Sequence, residues 1–204
     1  IKKIENIYNN LELDSEFEFM FFNKDTKEHL NYKDFLNILK YISFRSKKEK
    51  LDCITTHSLD IIYSLGDAKY RISVETLDKI NSISDTMYQK KNHIIFKLLL
   101  TKYSKEIDKN IKLIKKVKNK ENTFDITDYN LRVRLSTEND LVEKDINDIS
   151  TLDETNRFDI KFRYKERTTL RLIDDKNIQL NIDLTSTKTS SVLSKIQDNV
   201  SNYE

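Results

Sequence analysis

Hydrophobic and polar positions alternate with a period of two along several stretches of this chain, the pattern of a strand with one buried face. In residues 11–21, Leu13, Phe17, Phe19 and Phe21 fall on one face and Asp14, Glu16, Glu18 and Met20 on the other. Residues 69–75 set Tyr70, Ile72 and Val74 against Arg71, Ser73 and Glu75. Residues 130–136 set Leu131, Val133 and Leu135 against Arg132, Arg134 and Ser136. The longest alternation, 158–172, carries Lys161, Arg163, Lys165, Arg167, Thr169 and Arg171 opposite Phe158, Ile160, Phe162, Tyr164, Leu170 and Leu172. In residues 178–185, Ile178, Leu180, Ile182 and Leu184 oppose Gln179, Asn181, Asp183 and Thr185. Less regular alternation predicts further strands at 57–64, 94–101 and 111–118.

Helical spacing is rarer. It predicts a short amphipathic helix over 1–10 and a longer one over 31–44, capped by Asn31, with Phe35, Leu39 and Ile42 in one stripe. It predicts two more, over 76–90 behind a Thr76 cap and over 190–199 behind Ser190, the latter turning Val192, Leu193 and Ile196 inward. The acidic segment 138–156 follows neither period and reads as a loop. The sum is a β-dominated α+β fold. Neither an internal repeat nor a domain boundary is visible, so 1–204 reads as a single domain.

Composition narrows the chemistry. Lys+Arg 36 against Asp+Glu 34 gives a net charge of +2, which excludes a strongly basic nucleic-acid arm or an acidic tail. Positive charge directed at a polyanion must therefore be concentrated locally. Gly 1 and Pro 0 exclude the glycine-rich phosphate loop and the dinucleotide fingerprint. The single Cys53 excludes a disulfide framework and a multi-cysteine zinc site, and reads as a buried hydrophobe rather than a nucleophile. His29, His57 and His93 stand at unrelated positions and read as structural or surface residues. No apolar run approaches the roughly 20 residues that span a bilayer, and no secretory signal is present, so an intracellular location is expected. The ten Phe and ten Tyr read mostly as core.

The polar strand faces hold the candidate chemistry because their charges are sorted by strand. One face carries paired carboxylates, Glu16 and Glu18; others carry Arg and Lys at every second position; one ends in Asp183 and Thr185. Such sorting suits a closed antiparallel β-barrel with a charged lumen and an apolar exterior covered by helices. In a lumen, carboxylates two apart share a hard divalent cation, and opposed Arg and Lys clamp phosphate oxygens. That is a kit for phosphoryl hydrolysis. The pattern alone leaves the ordinary alternative open, a sheet with one face in solvent.

The residues also resemble a known family. Ser15-Glu16-Phe17-Glu18-Phe19 is similar to the first glutamate motif of the metal-dependent, tunnel-fold RNA triphosphatases of fungi, protozoa and large DNA viruses. Arg163-Tyr164-Lys165-Glu166-Arg167 resembles their central basic strand, and Tyr70-Arg71-Ile72-Ser73 an earlier inward arginine. Ile182-Asp183-Leu184-Thr185, then Thr187-Lys188, resembles the following strand, and Ser201-Asn202-Tyr203-Glu204 the start of the second glutamate motif. The motifs keep the family's order across nearly the whole chain, and the resemblance runs strongest to the N-terminal domain of giant-virus mRNA capping enzymes. Two departures stand out. Asn181 occupies a position where the family usually carries arginine, and the second glutamate motif breaks off at Glu204. Met20 separates the chain from the related branch whose first strand reads Glu-x-Glu-x-Lys.

The resemblance implies a triphosphate tunnel and hydrolysis of the γ-phosphate of 5′-triphosphate RNA, the first step of capping, with side activity on free NTPs. It implies Mg²⁺ or Mn²⁺ held by Glu16, Glu18 and Glu204. Arg71, Lys165 and Arg167 would neutralise phosphate charge, and Asp183 would hold the attacking water or a neighbouring base. Thr185 would support by hydrogen bonding, and Arg132, Arg134, Glu138 and Arg163 are further inward candidates. One of Lys115 and Lys116 is expected to point inward as well. The resemblance further implies an excised N-terminal part of a larger enzyme with guanylyltransferase and methyltransferase domains, located in host cytoplasm or virion. The alternatives are a small-molecule triphosphate or polyphosphate hydrolase on the same barrel, a non-catalytic polyphosphate or RNA 5′-end binding module, and a purely structural β-domain.

Overall fold

A computed structural model describes residues 15–22, 29–65, 68–151, 159–174 and 179–204. Its strands are β1 (Ser15–Phe21), β2 (Cys53–Leu65), β3 (Ala68–Glu75), β4 (Ile111–Ile126), β5 (Leu131–Asp140), β6 (Asp159–Asp174), β7 (Gln179–Ser190) and β8 (Asn202–Tyr203). Its helices are α1 (Tyr32–Glu49), α2 (Leu77–Met87), α3 (Asn92–Tyr103) and α4 (Glu143–Thr151). The strands form one antiparallel sheet in the order β1-β5-β4-β3-β2-β6-β7-β8.

Register follows from the apolar positions. On β2, Leu59, Ile61 and Tyr63 lie opposite Val74, Ile72 and Tyr70 of β3 and opposite Tyr164, Phe162 and Ile160 of β6. A slip of one residue would turn every one of these side chains to the other face, so burial holds the register. Onto this apolar face α2, α3 and α4 press Ile80, Ile83, Ile95, Phe96, Leu99, Leu100 and Ile149. At the other end α1 sets Phe35 and Ile42 against Leu170 of β6 and Leu184 of β7. Each such buried side chain stabilises by about 1.5–3 kcal/mol, more than any exposed polar contact in the molecule. All the described helices lie on the apolar side, as expected.

Two bulges interrupt the ladders. Between Lys118 and Thr123, residues 119–122 of β4 stand against Leu135 of β5. Between Arg171 and Ile173, β6 gains one residue over β7. At the β8 edge, the Leu30 N–H donates to the Tyr203 carbonyl at 2.9 Å, and Tyr203 packs on Phe35 with ring centroids 4.6 Å apart. β1 and β8 end the strand order, and no described pairing joins them, so the ring of strands expected of a closed barrel is not complete among the described residues. No described helix is long and apolar enough to cross a membrane.

The Asn31 cap is present: its Oδ1 accepts from the Asp34 N–H at 2.9 Å, and α1 runs on past the expected end to Glu49. Several expectations need correction. Residues 94–101 are helix, because Ile95, Phe96, Leu99 and Leu100 make a helical stripe that a run of apolar residues conceals. The loop expected over 138–156 is replaced where it is described: β5 runs to Asp140, and α4 forms on Ile149 while its buried Asp145 takes Lys115 at 2.7 Å; residues 152–156 lie outside the described residues. The 190–199 helix is only a 3₁₀ turn, Leu193–Lys195, since β7 continues to Ser190; Leu193 and Ile196 are buried but Val192 is exposed. Thr76 precedes α2 without a side-chain cap, at φ 72°, a left-handed value that glycine would adopt without strain in a chain with Gly 1. Cys53 is exposed, at the start of β2 beyond the helices. Nor is the aromatic wealth mostly core: Phe19, Phe21, Tyr32, Tyr41, Phe44 and Tyr88 are exposed. The helix expected over 1–10 lies outside the described residues.

Candidate active site

In an antiparallel pair, residues directly opposite one another project from the same face. Followed across the sheet, this rule gathers the polar side chains on one continuous surface. Glu18 of β1 lies opposite Arg134 of β5, and Glu138 of β5 opposite Lys116 of β4. Asp60 of β2 lies between Ser73 of β3 and Arg163 of β6, and Arg71 of β3 lies opposite Ile62 of β2. Lys165 faces Ser58 and Thr187; Arg167 faces Thr56 and Thr185; Thr169 faces Asp183. Mutual backbone bonds of 2.7 and 2.8 Å pair Thr185 with Glu204. Charges sorted by strand thus become neighbours on one face.

The centre of the face is built around Asp60. Its Oδ2 accepts from Arg163 Nη2 and from Lys165 Nζ, both at 2.9 Å, and its Oδ1 accepts from Ser73 Oγ at 2.8 Å. Asp60 has 0% exposure, and Ser136, Thr185 and Thr187 are also buried. Burial would push the Asp60 carboxyl up, but Lys165, Arg163 and Arg71 together bring it down to about 2. The Lys165 ammonium is lowered: burial disfavours the charge, Asp60 opposes that, and Arg163 and Arg71 add to the fall. One carboxylate therefore answers several cations, and the balance of the centre is positive.

Toward β4 and β5, Glu138 bridges Arg71 at 2.9 Å and Lys116 at 2.8 Å. Burial raises the Glu138 carboxyl, yet Lys116 and Arg71 hold it below the usual carboxylate range. A cavity of about 450 Å³ opens there, lined by Ile114, Glu138, Asn139 and Asp140, a size suited to a small-molecule site. Toward β7, Arg167 reaches Asp183 at 3.2 Å and Thr185 Oγ1 at 3.2 Å, while Thr169 donates to Asp183 at 2.6 Å. Arg71 Nε and Arg163 Nε are buried donors without a hydrogen-bond partner among the described residues. Each buried, unmet donor costs about 1–3 kcal/mol, and an anion placed there would recover it.

The acidic part of the site lies at the sheet edges. Glu18 Oε2 is buried without a hydrogen-bond partner among the described residues; Arg134 Nη1 comes only to 3.6 Å. An orphaned carboxylate oxygen is a donor suited to a hard divalent cation, so Glu18 fits that role chemically. Glu204, on the opposite edge, lies 3.6 Å from His29. Of Glu16 only the backbone is described, opposite Ser136. Among the described residues no three His, Cys, Asp or Glu converge as a metal would require.

No protein-family model matches the chain, and no curated protein matches it in sequence. Solved structures match it in fold. The RNA triphosphatase domain of a trifunctional mimivirus mRNA capping enzyme superposes with a TM-score of 0.75 and 22% identity, covering 99% of this chain and 83% of that one. The chain has the fold of a capping-enzyme RNA triphosphatase domain. A triclinic structure of mimivirus capping enzyme triphosphatase gives 0.72 with 22% identity, covering 100% of this chain and 83% of that one. A monoclinic one gives 0.72 with 21% identity, over 100% and 82%.

On this triphosphatase fold the expected residues separate into groups. Arg71, Glu138, Arg163, Lys165, Arg167, Asp183 and Thr185 share the polar face and its ion pairs. Arg163 stands at the centre of the face, on Asp60. Lys116 is the inward member of its pair, while Lys115 turns to α4. Arg132 is taken up by a two-pronged pair with Asp125, at 2.7 and 3.0 Å, near the β4–β5 turn. Arg134 and Glu18 face each other on β5 and β1, and no described pairing joins the Glu18 strand to the edge that carries Glu204. Missed from the sequence was Asp60. Its signal was present, an acid inside Leu59-Asp60-Ile61, where alternation puts it alone against an apolar strand.

Proposed function

We propose that this chain is a metal-dependent RNA 5′-triphosphatase that removes the γ-phosphate from triphosphate-ended RNA, the first step of mRNA cap formation. The observation that carries the reading is the pair of buried guanidinium nitrogens without a hydrogen-bond partner among the described residues, Arg71 Nε and Arg163 Nε, beside Lys165 on one positive face. An anion in reach would meet these donors, and a triphosphate supplies several.

Lys165, Arg163 and Arg71 would bind and orient the phosphates, and Arg167, steadied by Asp183 and Thr185, would meet the charge that grows as the bond to the γ-phosphorus breaks. Water attacks the γ-phosphorus, the bridging oxygen leaves with the RNA diphosphate, and inorganic phosphate is released. Closure of the strand ring between β1 and β8 completes the tunnel in this reading. Glu16, Glu18 and Glu204 would hold Mg²⁺ or Mn²⁺, which supplies Lewis-acid charge stabilisation and a more acidic bound water. Free NTPs would be substrates too. The chain would be one domain at the N-terminal part of a larger capping enzyme, working with guanylyltransferase and methyltransferase domains in host cytoplasm or virion.

The absence of three converging ligands among the described residues favours a second reading, a polyphosphate-binding module without catalysis. Phosphate release from γ-labelled triphosphate RNA separates the two. Release that needs Mg²⁺ or Mn²⁺ and is lost in a Glu16→Ala, Glu18→Ala double variant supports the enzyme. Tripolyphosphate binding with no release under any metal supports the module.

A further inference from the structure

The proposed roles so far leave Asp60 unused. It is the most enclosed charge of the polar face, at 0% exposure. Yet it receives hydrogen bonds from two of the proposed phosphate-binding cations on one oxygen atom, and Ser73 fixes the other oxygen. Two cations drawn to one oxygen are held close and parallel, which they would not choose alone, because like charges repel. Arg163 is anchored through Nη2 while its Nε stays unmet, so the anchor leaves a donor available to a ligand.

We propose that Asp60 is a positioning residue of the triphosphate site, holding Arg163 and Lys165 side by side as a charged pair for a bound phosphate. This inference rests on the triphosphatase reading for its substrate, but its core is a statement about Lys165 that needs no substrate.

Among the described residues, Asp60 of β2 holds the Lys165 charge while Arg71 of β3 and Arg163 of its own strand oppose it; Arg167 shares its strand face, Glu138 and Asp183 are taken up by Arg71 and Arg167, and β7 sets neutral Thr187 directly opposite. Asp60 is thus the acid in contact with Lys165, and it opposes burial and both arginines. Without its charge, burial and those arginines drive the proton off Lys165. An Asp60→Asn variant keeps the shape and loses the charge. In it, Lys165 becomes neutral at a lower pH than in the parent, and phosphate binding develops an alkaline loss that begins earlier. Acidification restores the proton and with it the binding.

The test has two arms on the same proteins. In the first, nitrogen NMR of labelled lysine follows the Lys165 ammonium against pH, assigned by its disappearance in Lys165→Arg. In the second, calorimetry measures inorganic tripolyphosphate binding at pH 6 and pH 9, with thermal melting as a check on folding. Asp60→Asn should titrate Lys165 earlier and bind about 10- to 100-fold more weakly at pH 9, with most of the loss recovered at pH 6. Ser73→Ala, which frees Oδ1 but keeps the charge, should weaken binding only a few-fold and serves if Asp60→Asn does not fold. An unmoved Lys165 titration in Asp60→Asn, or in Ser73→Ala together with unchanged affinity, overturns the inference. Tripolyphosphate ignored by the parent protein removes the triphosphatase reading instead, and the NMR arm still decides the role of Asp60.

Discussion

The centre and the edges of the polar face are built in different ways. At the centre, β2, β3 and β6 are bonded neighbours, and Asp60, Ser73, Arg163 and Lys165 hold one another within 2.9 Å. At the edges, Glu18 of β1 and Glu204, just past β8, stand on segments joined by no described pairing, one oxygen orphaned and one carboxylate beside a histidine. The cationic clamp is a product of the ladder and exists as soon as the sheet forms. In the proposed triphosphatase reading, the acidic site would depend on a further closure between β1 and β8. Charge balance agrees, since the clamp holds its counter-ion at 2.9 Å whereas Glu18 and Glu204 each meet a basic group only at 3.6 Å.

The comparison can be broken in a definite order. Glu16→Ala with Glu18→Ala should reduce metal-dependent phosphate release to background while leaving metal-free tripolyphosphate binding in place; loss of both together would mean that edge and centre are one unit. Asp60→Ala should lower the unfolding free energy in urea by about 3–5 kcal/mol, because it leaves buried cations without an acid. Glu18→Ala, by contrast, should cost less than about 1 kcal/mol in the same urea measurement.

Acid sharpens the same contrast. Asp60 titrates at about 2 in the folded chain against an ordinary 3.8, so its stabilising contribution is complete above pH 4 or so and disappears as pH falls through 2. A shift of that size is worth about 2–3 kcal/mol, and urea melts of parent and Asp60→Asn should converge as the pH approaches 2. The smallest effect belongs away from the face. Asn31→Ala should cost about 1 kcal/mol through the α1 cap and leave tripolyphosphate affinity unchanged.

Most of the sheet was legible because period-two patterning survives wherever one face is buried. The strands at 69–75, 130–136 and 158–172 fall where Tyr70, Ile72, Val133, Ile160 and Phe162 announced them. The patterns failed where local pattern and tertiary contact disagree. Ile94 to Leu100 is apolar at nearly every position, so helix and strand are indistinguishable until α3 meets the sheet. Helix α4 is acidic and short, and its reason to form lies in Lys115 on a distant strand. For the site, residue types and their faces could be read; the partners could not. That Arg167 is steadied by Asp183, or Arg71 by Glu138, depends on the order of strands, which alternation does not contain. Asp60 was overlooked because an isolated acid in an apolar strand looks like an interruption, whereas here it is the counter-charge of the face.

The two bulges bear on how such a chain can drift in length. Each inserts an odd number of residues into one strand, so the alternation reverses beyond it: Lys116 and Asp125 share a face although one number is even and the other odd, and Ile173 leaves the face that Arg171 occupies. Elsewhere in the ladder, a single inserted codon would turn every later side chain of that strand over, sending Arg167 toward the helices and Leu170 onto the charged face. Lineages of this fold are therefore free to lengthen or shorten near the ends of the β4–β5 and β6–β7 hairpins, where a reversal is already accommodated. They are bound residue for residue between Arg163 and Arg167, where the parity of the strand is itself the inherited trait.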